Sequence, residues 1–394
     1  MKTNLEEITF SKEELERYSR HLIIPEFNIE GQRKLKRARV LVVGTGGLGA
    51  PLLLYLTAAG VGTIGIVDFD LVDTSNLQRQ VLFTTKDVGK PKVEAAKERL
   101  EALNPHVQFE IFNTRIDSTN ALEIISRFDV VADGTDNFPT RYLVNDACVL
   151  AGKINVFASI FRFEGQASVF NYLYPDGSRG PNYRDLFPTP PPPGLVPSCA
   201  EGGVIGVLPG ILGSLQANEV IKVISGVGEP LAGRFFQFDA AEFKTRIFKI
   251  SKDPENPLTG EHPTQTTLID YEFFCGTNLT QIYMSTEQTN GQLSVTLLQE
   301  WINSGKDFQL IDVREPYEWD IANIGGTLIP KGEILQHLGE IERDKDVVIM
   351  CRSGKRSQDV INLLNQSEGF TNLHNLKGGI LAWADEIDQT VAKY

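Results

Sequence analysis

Hydrophobic residues along the first third of the chain fall into two alternating patterns. ARVLVV (38–43) and GTIGIVDFD (62–70) are short β-branched runs of the buried-strand type, and PLLLYLTAAG between them carries helical spacing. Strand, glycine turn, helix and strand in that order predict a parallel-sheet unit. The alternation continues with a helix over KPKVEAAKERLEALNP, a strand near VQFEIFN, a helix at ALEIISR and a strand in DVVADGTDN. Upstream, residues 12–37 read as polar helix. Further on, INVFASIFRFEGQASVFNYL predicts a hairpin and PTPPPPG (188–194) an extended crossing segment, because proline cannot sit inside a helix or a central strand. VIGVLPGILGSLQANEVIKVISG reads as a buried helix pair, and GRFFQFDAAEFKTRIFKI as two closing strands.

The pattern breaks after residue 250. A Pro-, Thr- and Asn-rich tract over 256–288 reads as a linker, and a smaller alternation follows over 289–394. That unit runs helix LLQEWINSG, strand FQLIDV, helix GEILQHLGEI, strand DVVIMC, helix SQDVINLLNQ, strand NLHNL and helix GILAWADEID. The expected fold class is therefore α/β twice over. A Rossmann-like domain with a mostly parallel sheet occupies 1–255, and a smaller α/β domain occupies 289–394. No internal repeat relates them.

Composition narrows the function. The 394 residues suit two or three domains at roughly 150 residues each. A formal net charge of −13 argues against bulk nucleic-acid binding, which requires basic surface. Four cysteines, none in a C-x-x-C pair, exclude a four-cysteine zinc site and a disulfide-stapled scaffold. The N-terminus has no apolar stretch of the signal-peptide type, and the apolar run 202–215 is shorter than the ~20 residues that span a bilayer. A soluble cytoplasmic protein is expected. The basic cluster Arg33, Lys34, Lys36, Arg37 and Arg39 reads as a solvated helix face or a guide for an acidic partner.

Gly44, Gly46 and Gly49 form G-x-G-x-x-G between a strand and a helix, where backbone N–H groups can approach a phosphate. Asp68 ends the next strand, placed to accept from ribose hydroxyls. Alone, this indicates a nucleotide without saying which. SNLQRQ (75–80) and Lys92 then add polar groups and cations of the kind that stabilise negative charge on a leaving pyrophosphate. DGTDN puts Asp136 at the ligand end of a strand, where a carboxylate can hold Mg²⁺. The plainer reading makes Arg79 and Lys92 surface charges and Asp136 a helix cap.

GTGGLG, VDFD, SNLQRQ, GKPKVE and TDN in this order resemble the MoeB/ThiF group, relatives of the ubiquitin-activating enzymes, over about residues 10–280. The resemblance implies ATP- and Mg²⁺-dependent adenylation of the C-terminal Gly-Gly of a ubiquitin-like sulfur carrier, by a homodimer. It implies ATP contacts from Gly44, Gly46, Gly47, Asp68, Asp70, Ser75, Asn76, Gln78, Arg79, Lys92, Asp136 and Asn137, with Arg20 reaching in from the neighbouring subunit. Cys199 in PSCAEGGV matches a cysteine thought to act on the acyl-adenylate, against the alternative of a structural thiol; Cys148 and Cys275 read as packing residues. Relatives bind a structural zinc through two C-x-x-C pairs. Asn182, Asp185, Asn256 and Thr259 stand at those positions here, a poor zinc set, so no zinc is expected and packing or hydrogen bonds are expected to hold the region.

A second thiol site lies in VVIMCRSGKRSQDV. Cys351 follows a strand and precedes a helix, in a loop whose successive N–H groups favour an anionic sulfur. Residues 286–394 carry ten basic and 17 acidic side chains, yet Arg352, Lys355 and Arg356 cluster here. With IDVREPYEW and LKGGILAW, the loop resembles the rhodanese domain, which implies a persulfide on Cys351 with Arg356 beside it. A Cys-loop phosphatase needs C-x5-R, and Ser357 occupies that position. Asp312 and Arg314 read as fold-holding charges. Joined, the two halves imply carrier adenylation followed by sulfur transfer to give a thiocarboxylate, the sulfur coming from thiosulfate or from the persulfide of a cysteine desulfurase. Two other readings are a nucleotide-dependent sulfur oxidoreductase and a non-catalytic carrier-binding scaffold. Molybdopterin, thiamine and other thiocarboxylate pathways share the activation chemistry.

Overall fold

In the computed structural model, which describes residues 8–192, 202–276 and 291–394, the polar N-terminal stretch breaks into α1 (Lys12–Arg17), α2 (Ser19–Leu22) and α3 (Asn28–Arg37). Ser11 and Glu14 form a reciprocal capping box that starts α1. The alternating region follows as β1 (Arg39–Val43), α4 (Gly49–Ala59), β2 (Thr63–Asp68), α5 (Lys92–Leu103), β3 (Gln108–Asn113), α6 (Ala121–Ser126), β4 (Val130–Asp133) and α7 (Phe138–Leu150). Then come β5 (Ile154–Phe161), β6 (Glu164–Phe170), α8 (Tyr183–Leu186), α9 (Val207–Ser225), β7 (Arg234–Asp239), β8 (Lys244–Lys249) and α10 (Tyr271–Phe274).

These strands make one eight-stranded sheet in the order β3-β2-β1-β4-β5-β6-β7-β8. Pairing is parallel from β3 through β5 and antiparallel from β5 through β8. Alternating side chains of β1 feed two cores, Val40 and Val42 on one face and Leu41 and Val43 on the other. The parallel half puts its carboxyl ends, and the loops after β1, β2, β3 and β4, along one edge.

The apolar run after residue 202 forms a single helix, α9, rather than a pair, because Pro209 lies in its first turn, where no intrahelical N–H is needed. By length and composition α9 could cross a membrane. Its Leu208, Leu212, Ala217 and Val220 are instead buried, and Gln216 Nε2 donates to Asp133 O and Val156 O, both at 2.8 Å. Gly213 permits its close approach to α4, since a Cβ there would sit 2.4 Å from Leu48 O.

Residues 256–276, assigned to the linker by composition, pack onto the first unit. Asp146 on α7 is fully buried and takes a forked ion pair from Arg184 (Nη2–Oδ2 2.7 Å), with Tyr271 Oη donating at 2.8 Å and Gln265 Nε2 at 2.9 Å. Tyr271 and Gln265 thus tie the tract to that buried pair through polar contacts that its composition conceals. The described residues thus form two units, one within Met1–Asn278 and one within Leu279–Tyr394.

The second unit runs β9 (Gln292–Leu293), α11 (Val295–Ser304), β10 (Gln309–Asp312), α12 (Pro316–Ile321), β11 (Thr327–Leu328), β12 (Val347–Met350), α13 (Lys355–Glu368), β13 (Leu373–Leu376) and α14 (Gly379–Glu386). Its sheet, β11-β10-β12-β13-β9, is parallel throughout. GEILQHLGEI forms two 3₁₀ turns, Lys331–Gln336 and Leu338–Glu340, instead of the expected helix.

Candidate functional site

The glycine turn closes between β1 and α4 in a conformation that L side chains rarely adopt: Gly44 has φ +91°, and a Cβ on Gly49 would lie 2.0 Å from Gly44 O. Asp68 ties the turn to β2, its Oδ2 accepting from Thr45 N (2.8 Å) and Thr45 Oγ1 (2.7 Å), while Oδ1 accepts from Asp70 N (2.9 Å). A cleft opens over this turn. Gly44, Gly46, Gly47, Asp68, Asp70, Arg79, Lys92, Asp136 and Asn137, all expected at a nucleotide site, line it together.

Lys92 is nearly fully buried, and its Nζ donates to Asp70 Oδ2 at 2.8 Å, which aims the ammonium from the start of α5. Arg79 Nη1 donates to Ser75 O at 3.0 Å. Asn137, not Asp136, caps α7: its Oδ1 accepts from Thr140 N at 2.9 Å. Asp136 is thereby left as an exposed carboxylate on the cleft wall.

Ser75, Asn76, Gln78 and Arg20 do not line the cleft. Ser75 and Asn76 form a 3₁₀ turn capped by Asp73, with Ser75 N donating to Asp73 Oδ1 at 2.8 Å. Gln78 packs beside Gly206, and Arg20 is exposed on α2. Among the lining residues that sequence reasoning did not single out are Gln80 and Arg115. Gln80 is buried, with Oε1 unpartnered among the described residues, and Arg115 pairs with Glu272 of α10. Gln80 lay within the SNLQRQ motif; Arg115 carries no local signal, because its partner is 157 residues away.

Behind the cleft, the fully buried Asp133 orders the turn that carries Asp136. Its Oδ1 accepts from Thr135 N (2.9 Å) and Thr135 Oγ1 (2.6 Å). Burial pushes the carboxyl up to about 6, against the Arg141 charge and the Thr135 hydrogen bonds. The folded protein therefore holds a proton that the unfolded chain has lost between about pH 4 and 6, so Asp133 disfavours folding as pH rises through that window, by roughly 3 kcal/mol above it. Asp133→Asn keeps an acceptor for Thr135. It is expected to raise the melting temperature well above pH 6 and to lose that gain below pH 4; an equal gain at both, measured by calorimetry, contradicts the assignment.

The basic cluster is committed to internal pairing: Lys34 Nζ donates to Ser225 O (2.5 Å), Lys36 pairs with Glu14 (2.6 Å) and Arg39 with Glu110 (2.6 Å). Asn182, Asp185, Asn256 and Thr259 do meet. Asn182 Nδ2 donates to Thr259 Oγ1 (3.0 Å), Asn256 Nδ2 to Asp185 Oδ1 (2.7 Å), and Asn182 N to Asp185 Oδ2 (2.6 Å). Cys148 and Cys275 are core thiols. Burial pushes Cys148 well up and Cys275 to about 12, so neither is nucleophilic. Cys199 lies outside the described residues.

In the second unit Cys351 follows β12 and is fully buried, its Sγ accepting from Gly354 N at 3.1 Å. Gly379 (φ +60°) allows the start of α14 to close on this loop. A Cβ there would sit 2.3 Å from Cys351 O, and Ile380 N donates to that oxygen at 3.0 Å. Arg356 is forked onto Glu318 at 2.6 and 2.7 Å. Those hydrogen bonds raise the guanidinium. Burial pushes the Glu318 carboxyl up, but the Arg356 hydrogen bonds, the Glu315 N–H and the Arg356 and Arg314 charges together hold it below its usual range. Arg356 thus braces the loop through α12. Asp312 and Arg314 form a buried pair (2.5 Å) with Arg314 Nη2 donating to Ala322 O, a fold-holding arrangement.

Each unit has relatives among known proteins. Residues 18–258 match the ThiF family model and residues 294–386 the rhodanese-like domain. The probable adenylyltransferase/sulfurtransferase MoeZ of Mycobacterium tuberculosis is 49% identical over 98% of this chain and 96% of its own. The sulfur carrier protein adenylyltransferase of Thermus thermophilus is 56% identical over 68% of this chain and 98% of its own. Among solved structures, E. coli MccB with ATP superposes with a TM-score of 0.52 at 26% identity, over 62% of this chain and 74% of that one.

Proposed function

The chain belongs to the ThiF family and carries a rhodanese-like domain, and on that premise we propose how its residues divide the work of an adenylyltransferase and sulfurtransferase. The first unit adenylates the C-terminal glycine of a ubiquitin-like sulfur carrier; the second supplies the sulfur. The observation that carries the first half is the cleft itself, where Lys92 and Arg79 stand over a glycine turn with Asp136 among the lining residues. The carrier carboxylate attacks the α-phosphorus of ATP, and the bond to pyrophosphate breaks. Lys92, pre-aimed by Asp70, and Arg79 stabilise the charge that grows on the departing group. Asp136 would hold Mg²⁺, which neutralises phosphate charge when bound. Asp68 shapes the turn and faces the ribose. Ser75, Asn76 and Gln78 act through the loop that presents Arg79, and Arg20 serves the neighbouring site in a homodimer.

In the second half, the outer sulfur of a Cys351 persulfide attacks the carrier carbonyl and AMP leaves. A second thiol then cleaves the resulting acyl disulfide to release the thiocarboxylate, and Cys199 is the candidate within this chain. The hydrogen-bonded set Asn182, Asp185, Asn256 and Thr259 supports a fold held without zinc. The enzyme would work in the cytoplasm, fed by thiosulfate or by a cysteine desulfurase. Pyrophosphate exchange into ATP tests the first half: it is expected only with a carrier ending in Gly-Gly, and in the absence of any sulfur donor. Failure to exchange with every such carrier would contradict the reading.

A further inference from the structure

The sulfur of Cys351 has a second neighbour that the loop motif does not announce. Ser357 Oγ lies 3.3 Å from Cys351 Sγ and 2.6 Å from Asn375 Oδ1, and all three residues are buried. The amide of Asn375 can face only one way. Its Nδ2 donates to Gly354 O at 3.0 Å, an oxygen that only accepts, and reaches Gln292 Oε1 at 3.3 Å. Oδ1 therefore faces Ser357, and it too can only accept.

Ser357 has one hydroxyl proton and two claimants. The shorter contact gives it to Asn375, leaving Ser357 lone pairs toward the sulfur. That arrangement suits a thiol, whose S–H then donates to Ser357 Oγ. It does not suit a thiolate or a persulfide, which needs a donor. We propose that Asn375 is a positioning residue for sulfur transfer: it holds the Ser357 proton while Cys351 is protonated and yields it to the sulfur once that sulfur is charged. The buried Gly354 N–H is a fixed donor, whereas Ser357 is a reversible one.

This switch rests on the reading of Cys351 as the sulfur-carrying residue. In that reaction the Cys351 thiolate attacks the outer sulfur of thiosulfate. One S–S bond forms, the other breaks, and sulfite leaves with the electron pair. The negative charge stays on sulfur throughout, moving from thiolate to persulfide, so a donor is needed both before and after the step. Asn375 lies 24 residues from Cys351, on the strand beside β12, where its amide bridges Ser357 and the Gly354 carbonyl.

The test follows alkylation of Cys351 by iodoacetamide in the full-length protein across a pH series, read on the Cys351 peptide by mass spectrometry. Ser357→Ala is expected to slow the reaction about tenfold near neutrality, as suits loss of one hydrogen bond to a charged sulfur, and to move the profile to higher pH. Ser357→Thr keeps the hydroxyl and is expected to follow the wild type. Asn375→Asp, which adds negative charge and grips the proton harder, is expected to shift the profile in the same direction as Ser357→Ala. A purely structural role would lower the rate without moving the profile. Profiles of Ser357→Ala and Asn375→Asp that superimpose on the wild type would overturn the proposal. If Asn375→Asp does not fold, Asn375→Ala takes its place: by freeing the Ser357 proton it is expected to move the profile to lower pH, and an unmoved profile would overturn the proposal. Thiosulfate sulfurtransferase activity that survives Cys351→Ala would instead overturn the underlying reading of Cys351.

Discussion

Replacing Cys351 by Ser is expected to abolish thiocarboxylate formation while leaving pyrophosphate exchange at its normal rate. Serine fits the same volume and keeps a hydrogen-bonding group beside Gly354 N, so the loop should persist. What is lost is the nucleophile: an alkoxide is not available near neutral pH, and an oxygen cannot carry a persulfide. The expected loss is at least 10³-fold in sulfur transfer, the scale typical of removing a covalent catalyst's attacking atom. Exchange depends on the cleft of the first unit, with its glycine turn, Arg79 and Lys92. The variant should therefore stop with the carrier adenylated, which mass spectrometry of the carrier reads directly. Loss of exchange in Cys351→Ser would show that the two activities are not separable in this way.

Lys92→Met is expected to have the second-largest effect, in the opposite half. The side chain is buried along its stem, so Met replaces its packing, and Asp70 is exposed enough to be rehydrated when its partner is lost. The fold should therefore survive. A cation facing the departing pyrophosphate matters most when charge is building there, so kcat should fall by roughly 10²–10³ with a smaller change in KM for ATP. Steady-state exchange kinetics check this. A change confined to KM would make Lys92 a ground-state contact only. An unchanged rate would remove it from the site.

The sequence was most legible where geometry is local. The glycine turn, its flanking β1 and α4, and the Cys351 loop between β12 and α13 follow from residues within a dozen positions of each other, and most of the nucleotide-site residues expected from motifs meet in one cleft. What escaped was long-range. The tract 256–276 looks like a linker because its anchoring is polar and distant: Tyr271 and Gln265 reach Asp146 across more than a hundred residues. Arg356 looks like a free cation because Glu318 is 38 residues upstream. Whether Asp136 or Asn137 caps α7 cannot be decided from two adjacent residues that both make good caps; the backbone selects Asn137, and that choice frees the carboxylate. The α9 segment differs in another way. The helix pair expected there is one helix, and its proline is at home inside the first turn.

If one chain activates a carrier's C-terminus and then replaces its oxygen with sulfur, the exchange is visible in the carrier's mass. The direct measurement is the intact mass of a Gly-Gly carrier after incubation with the full-length protein, ATP, Mg²⁺, thiosulfate and a thiol reductant. A carrier heavier by the difference between a sulfur and an oxygen atom, formed only when ATP and thiosulfate are both present, is the expected result. A carrier mass unchanged under the complete mixture, for every carrier offered, would contradict it.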